Sequence, residues 1–139
     1  MTIKDMARTD VVTADPDTTT RKISTLLEEE NVGSIIITED KAPVGIVTDR
    51  DLALEVIGEG KNSATITAAE VMTEDLYTVD VTESIYDVLE GLRERGVRRV
   101  PVLEDGELQG IVTLDDFLVL LTSELEIASG VVQAGIPEY

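Results

Sequence analysis

The chain repeats itself. A shift of 65 residues aligns 9–53 with 74–118 without a gap, and thirteen of those 45 pairs are identical. They are Asp10/75, Thr13/78, Asp15/80, Leu27/92, Glu29/94, Val32/97, Glu39/104, Asp40/105, Gly45/110, Ile46/111, Val47/112, Thr48/113 and Asp51/116. Apolar character is kept at Ile23/Val88, Ile35/Val100 and Ile37/Val102. Self-similarity at a fixed spacing marks a duplicated supersecondary unit that buries its apolar face against a copy. In 139 residues, neither half holds enough chain for a large core of its own.

Both halves read in the same order. A short extended piece, Val11-Val12-Thr13 or Leu76-Tyr77-Thr78, precedes a stretch suited to starting a helix, Asp17-Thr18-Thr19 or Thr82-Glu83-Ser84. The helices follow, with Ile23, Leu26 and Leu27 on one face of the first and Ile85, Val88, Leu89 and Leu92 on one face of the second. Apolar strands come next, Ser34-Ile35-Ile36-Ile37 and Val100-Pro101-Val102-Leu103. Turns at Glu39-Asp40-Lys41 and Glu104-Asp105-Gly106 lead to partner strands over 44–48 and 108–113, Asp-Gly being suited to a tight hairpin. A closing helix is predicted over 51–57 and 115–121. The expectation is an α/β (α+β) fold of two β-α-β-β-α units: unit 1 at 1–58, a flexible linker at 59–69, unit 2 at 70–124, and a tail at 125–139. The start of that tail extends the last helix or not; Gly130, Gly135 and Pro137 predict an end that is loose or docked on a partner.

Composition narrows the chemistry. The chain has no histidine and no cysteine, so the usual general base, thiolate zinc sites and disulfides are excluded. No catalytic residue and no metal ligand set is predicted, and the chain is not expected to be an enzyme. Asp and Glu number 29 against 11 Lys and Arg, a net charge of −18 spread along the whole length. Such a surface repels nucleic-acid phosphates and suits a halophilic cytoplasm, where salt screens self-repulsion; a mesophilic acidic protein is the alternative. No apolar run approaches the ~18 residues of a membrane span. Met1 to Asp5 lacks the pattern of a signal peptide. A soluble cytoplasmic location, with no membrane or nucleic-acid partner, is therefore predicted.

The window Gly45-Ile46-Val47-Thr48-Asp49-Arg50-Asp51 returns as Gly110-Ile111-Val112-Thr113-Leu114-Asp115-Asp116. It reads as a strand running into a helix. Glycine permits close approach to the strand, and the helix start offers free N–H groups suited to phosphate. The Asp three residues after Thr falls in the first turn, where a carboxylate is able to accept hydrogen bonds from vicinal ribose hydroxyls. Blander roles compete at each position. Thr48 and Thr113 serve equally as helix caps, Asp51 and Asp116 as partners of the helix dipole, and Gly45 and Gly110 as sheet-packing residues.

Two copies of G-h-h-T-x-x-D (h, apolar) at matched offsets, each between an apolar strand and a helix, resemble the cystathionine-β-synthase-type (CBS) domain pair, or Bateman module. The resemblance spans roughly residues 5–122, with Asp5-Met6 and Val71-Met72 as short lead-ins and Val97-Arg98-Arg99-Val100-Pro101-Val102 as the second-strand pattern. It implies two units packed sheet to sheet about a pseudo-twofold axis, with two clefts that take adenosine derivatives: AMP, ADP or ATP, with Mg in some cases, or S-adenosylmethionine. It further implies that Asp51 and Asp116 hold ribose hydroxyls and that Thr48 and Thr113 contact ribose or phosphate. Val12, Thr13, Tyr77 and Thr78 would line an adenine slot, and Arg98 would supply a phosphate-binding cation, assisted by Arg99 or Arg50. Tyr77 reads equally as a core residue, and strand alternation allows only one of Arg98 and Arg99 into a cleft.

The repeats are not equivalent. Gly33-Ser34 stands where the second repeat has Arg98-Arg99, and Arg50 where it has Asp115. Like-charge repulsion from Asp115 disfavours phosphate beside Asp116, so the better site is expected at Asp51, Thr48, Arg50 and Arg98. The function expected is a regulatory adenosyl-ligand sensor that acts on a separate effector protein and pairs as a homodimer through its helices. The alternative is a structural interaction module that binds no ligand.

Overall fold

The structure, a computed structural model, describes residues 2–135. A short helix α1 (Ile3–Met6) precedes β1 (Thr13–Ala14), α2 (Thr20–Glu29), β2 (Ser34–Glu39) and β3 (Ala42–Thr48). Helix α3 (Asp49–Asp51) runs directly into a π-helical turn, Leu52–Ile57. The second half repeats the plan with α4 (Ala68–Val71), β4 (Val79–Asp80), α5 (Ile85–Arg95), β5 (Arg99–Glu104), β6 (Glu107–Thr113) and α6 (Leu114–Ala134). Each half is β-α-β-β-α behind a short lead-in helix. Each forms a three-stranded sheet, β1-β2-β3 or β4-β5-β6, with the first pair parallel and the second antiparallel. The register slips at the same place in both hairpins, after Ile37 and after Val102.

Local sequence explains most of these boundaries. The Thr19 hydroxyl accepts a hydrogen bond from the Lys22 amide at the start of α2, and Ser84 does the same for Asp87 at the start of α5. The α5 helix ends at Gly96 with φ 66°, the left-handed residue that a helix C-terminus favours. Both hairpins turn on two left-handed residues: Asp105 and Gly106 in one, Asp40 and Lys41 in the other. The first strand of each unit lies one to three residues later than the apolar pattern predicted, because pairing with Ile36 and Ile37, or Val102 and Leu103, sets its position.

The core shows how the halves are joined. One apolar cluster gathers Val79, Val88, Leu92, Val100, Val102, Val112 and Phe117 of the second half, together with Ile3 from the N-terminal lead-in. The other gathers Ile23, Ile35, Ile37, Val47 and Val56 of the first half, together with Ala68 and Val71 of α4. Each lead-in therefore packs on the opposite sheet. Backbone bridges join Arg8 to Ile111 and Thr73 to Ile46, positions that are themselves 65 residues apart in sequence. A Cβ added at Gly110 would lie 2.6 Å from the Arg8 carbonyl oxygen, and one at Gly45 would collide with Met72. The two glycines of the repeated motif thus serve the close approach of the exchanged lead-ins. A further bond crosses the units where the Leu108 amide donates to the Lys41 carbonyl, 2.9 Å.

Two segments differ from the sequence expectation. The stretch 59–69, expected to be a flexible linker, is tied down: Thr20 donates to Ile66 and to Ser63, and Arg21 donates to Ser63. Helix α6 extends well past the predicted end at 121, to Ala134. Gly130 lies inside it and Gly135 closes it, while Pro137 falls outside the described residues. An 18-residue stretch of α6 has a mean hydropathy of 1.4 and is only 6% buried, so this helix is longer and more apolar than the sequence reading anticipated. It carries Glu124 and Glu126 near its middle. Ionised side chains at a bilayer midplane cost about 3 kcal/mol each, so we do not read α6 as a membrane span.

Candidate functional site

The two strand–helix corners share one geometry. At the first, the Thr48 amide donates to Asp51 Oδ2 at 2.8 Å while the Asp51 amide donates to Thr48 Oγ1 at 3.1 Å. At the second, the Thr113 amide donates to Asp116 Oδ2 at 3.0 Å and the Asp116 amide to Thr113 Oγ1 at 3.2 Å. These are reciprocal capping boxes. The capping role of Thr and Asp is therefore real, and it uses only one of the four acceptor sites of each carboxylate.

The remaining acceptor sites distinguish the corners. Asp116 Oδ1 accepts from Arg8 twice, from Nε at 3.3 Å and Nη2 at 2.9 Å. The Asp116 side chain is 16% exposed and the Arg8 side chain 64%. Burial is the largest single influence on Asp116 and by itself would raise its pKa. The Thr113 amide, the Arg8 guanidinium and the Thr113 hydroxyl together outweigh it, so the carboxyl lies below its ordinary value. Thr73 occupies the position equivalent to Arg8 at the other corner, so no guanidinium from the lead-in reaches Asp51 there.

A cleft of about 370 Å³ opens between the units, within the usual range for small-molecule sites. Val12, Gly33, Ser34 and Ile36 contribute from the first half, and Arg99, Thr113 and Asp115 from the second. Arg8 lines it from the exchanged lead-in and stands in front of Asp116. Of the two candidate arginines, Arg99 is the one that lines this cleft, its guanidinium 3.6 Å from where a Cβ on Gly33 would sit. Arg98 turns toward Asp115 at 3.7 Å, with both side chains more than 70% exposed. The sequence places Gly33-Ser34 with Arg50 and opposes them to Asp115 and Arg98-Arg99. The structure brings Gly33, Ser34, Asp115 and Arg99 into one cleft, because that cleft draws on both halves.

The other predicted residues lie elsewhere. Thr48, Arg50 and Asp51 form the pseudo-symmetric corner, with Arg50 exposed and its amide bonded to Asp49. In sequence, the second repeat carries Tyr77, Arg98 and Arg99 where the first has Val12, Gly33 and Ser34. Tyr77 packs against Gly91 of α5 and lies under Arg95, 5.6 Å from the ring centre; burial, its largest influence, raises the phenol pKa. The core role open to this residue is the one the structure shows. Thr13 is exposed on β1, and Thr78 lines a separate groove with Pro16, Val44 and Met72. Arg8, Asp10 and Val11 were not foreseen as cleft residues. Arg8 lies just outside the repeated window, and only the exchange of lead-ins brings it to Asp116. No group of three or more acidic residues able to hold a metal occurs among the described residues.

Comparison with known proteins places this geometry. The CBS domain family matches residues 3–58 and 68–123. An uncharacterized protein of Methanopyrus kandleri is 34% identical over 120 residues, which cover 85% of this chain but 61% of that protein. The chain thus spans less than two thirds of that relative. Hypoxic Response Protein I, crystallised with two coordinated zinc ions, superposes with a TM-score of 0.78 at 31% identity, covering 85% of this chain and 97% of that one. A CBS domain pair crystallised with 5′-methylthioadenosine and S-adenosyl-L-methionine superposes with a TM-score of 0.78 at 25% identity, covering 89% and 98%.

Proposed function

The chain belongs to the CBS-domain family, and from that premise we propose that it is a regulatory module that binds an adenosyl ligand and reports occupancy to a separate effector protein. The ligand class is an adenine nucleotide, AMP, ADP or ATP, with Mg accompanying a polyphosphate, or S-adenosylmethionine. The observation that carries the reading is the cleft of about 370 Å³ lined by both halves. A ligand held by Val12 and Gly33 on one side and Thr113 on the other favours one relative pose of the units, and a partner that distinguishes poses senses it. The complex of a related pair with two adenosyl compounds supports the ligand class. The cleft brings together the capping Thr113, the acids Asp10, Glu30 and Asp115, and the cations Arg8 and Arg99, a set suited to holding a polar ligand.

A homodimer is part of the proposal. On α6, Leu118, Leu121, Leu125, Ala128 and Val132 follow a 3-4-3-4 spacing, the seam of a helix that packs on another helix. Leu125 is 72% exposed and Val132 67%. A second copy supplies an apolar surface for this seam without a new partner. The acidic surface, with a net charge of −18, supports a salt-rich cytoplasm as the setting.

Isothermal titration with AMP, ATP and S-adenosylmethionine in molar KCl tests the ligand reading. Saturable heat with at least one of them is expected. A folded sample that binds none of the three sinks it and favours the interaction-module alternative, for which the exposed seam of α6 already speaks.

A further inference from the structure

We propose that Arg8 is a latch over the Asp116 corner and sets its preference for phosphorylated over unphosphorylated adenosyl ligands; this rests on the adenosyl reading above. A carboxylate offers about four acceptor sites. At Asp116 three are taken, one by the Thr113 amide and two by Arg8. A ribose diol presents two hydroxyl donors, so it cannot bind Asp116 in full while Arg8 keeps both bonds. At Asp51 only the Thr48 amide bond is recorded among the described residues, and that corner needs no such exchange.

Release of Arg8 has a cost that the ligand must offset. An unpaired guanidinium beside a partly desolvated carboxylate loses a charge-assisted bond. Arg8 and Arg99 are the two cations that line the cleft, against Asp10, Glu30 and Asp115. A phosphate entering this acidic setting needs both guanidiniums, and a released Arg8 gains a new anion in exchange for the old one. An uncharged adenosyl compound offers no such replacement. Arg8 is held at its station by the backbone bridge to Ile111 and by the close approach at Gly110, so only its side chain has to swing.

The test compares AMP with adenosine, which share the ribose diol and differ in the phosphate. Affinities for the full chain and for Arg8→Ala are measured by titration calorimetry, with amide shifts of Thr113 and Thr48 reporting which corner responds. The Arg8 side chain is 64% exposed, so the variant should fold, and a thermal melt checks this. In the parent protein AMP should bind the Thr113 corner more tightly than adenosine. In Arg8→Ala that preference should shrink by about tenfold, the size of one charge-assisted bond, with adenosine binding as tightly as before or more so. An unchanged ratio, a parallel loss for both ligands, or a parent preference for adenosine overturns the latch while leaving the adenosyl reading intact. Shifts confined to Thr48 do the same. If neither ligand binds either protein, the latch falls, and the adenosyl reading falls with it only when ATP and S-adenosylmethionine also fail to bind.

Discussion

At the scale of single residues, the two motif aspartates are identical in sequence and capped in the same way, yet they differ in availability. Asp116 has most of its acceptor capacity consumed and Asp51 does not. The lowered pKa of Asp116 has a definite sign for stability. A carboxyl held below its unfolded value of about 3.9 contributes stability above that pH and loses it as the pH falls through the folded value. Carboxyl-carbon NMR should therefore find the Asp116 midpoint below about 3.9, and Arg8→Ala should move it upward. A midpoint that does not respond to Arg8→Ala would show that the ion pair does not persist in solution. None of this is legible in the motif, because G-h-h-T-x-x-D reads the same in both repeats. The sequence favours Arg98 over Arg99 as the cleft cation, whereas Arg99 is the one that lines this cleft, because which of them enters depends on where the second unit sits.

At the scale of elements, the hairpins offer a contrast written in sequence. Both need two left-handed residues, and Gly106 adopts φ 78° freely while Lys41 is held at φ 68°. A non-glycine residue in that region costs about 1 kcal/mol, so Lys41→Gly should raise stability by up to about 1 kcal/mol in urea denaturation. The motif glycines offer a second contrast. At Gly110 the obstacle to a Cβ is the Arg8 backbone; at Gly45 it is the flexible Met72 side chain. Gly110→Ala should cost about 1–3 kcal/mol, and more than Gly45→Ala; the reverse order would mean that the lead-in shifts without penalty. Helix α6 tests the assembly. Leu125→Glu should convert a dimer to a monomer in light scattering without lowering the helix content, since Leu125 buries little within its own chain.

At the scale of the whole molecule, the exchange of lead-ins makes the two halves interdependent. A fragment cut at the sequence boundary, 1–58, lacks Ala68 and Val71 from its core and carries Ile3, which belongs to the other. A fragment spanning 9–74 keeps the complete first cluster. Circular dichroism should show more cooperative folding for 9–74 than for 1–58, and equal behaviour would argue against the exchange. The net charge of −18 acts at this scale as well. Raising KCl toward 1 M shortens the screening length from about 8 Å to about 3 Å, so the melting temperature should rise with salt.

The repeat, the β-α-β-β-α order, the capped helix starts and the hairpin positions were all determined by sequence alone. Each depends on neighbours within a few residues or on a period that duplication preserves. The family resemblance rested on the same local patterns. Which residues share a cleft was decided only by the tertiary structure. The pseudo-twofold axis pairs Gly33 and Ser34 with Thr113 and Arg99, and the crossed lead-ins carry Arg8 to Asp116 from more than a hundred residues away. No local pattern encodes a contact across an axis, because it exists only once the two cores have formed and docked.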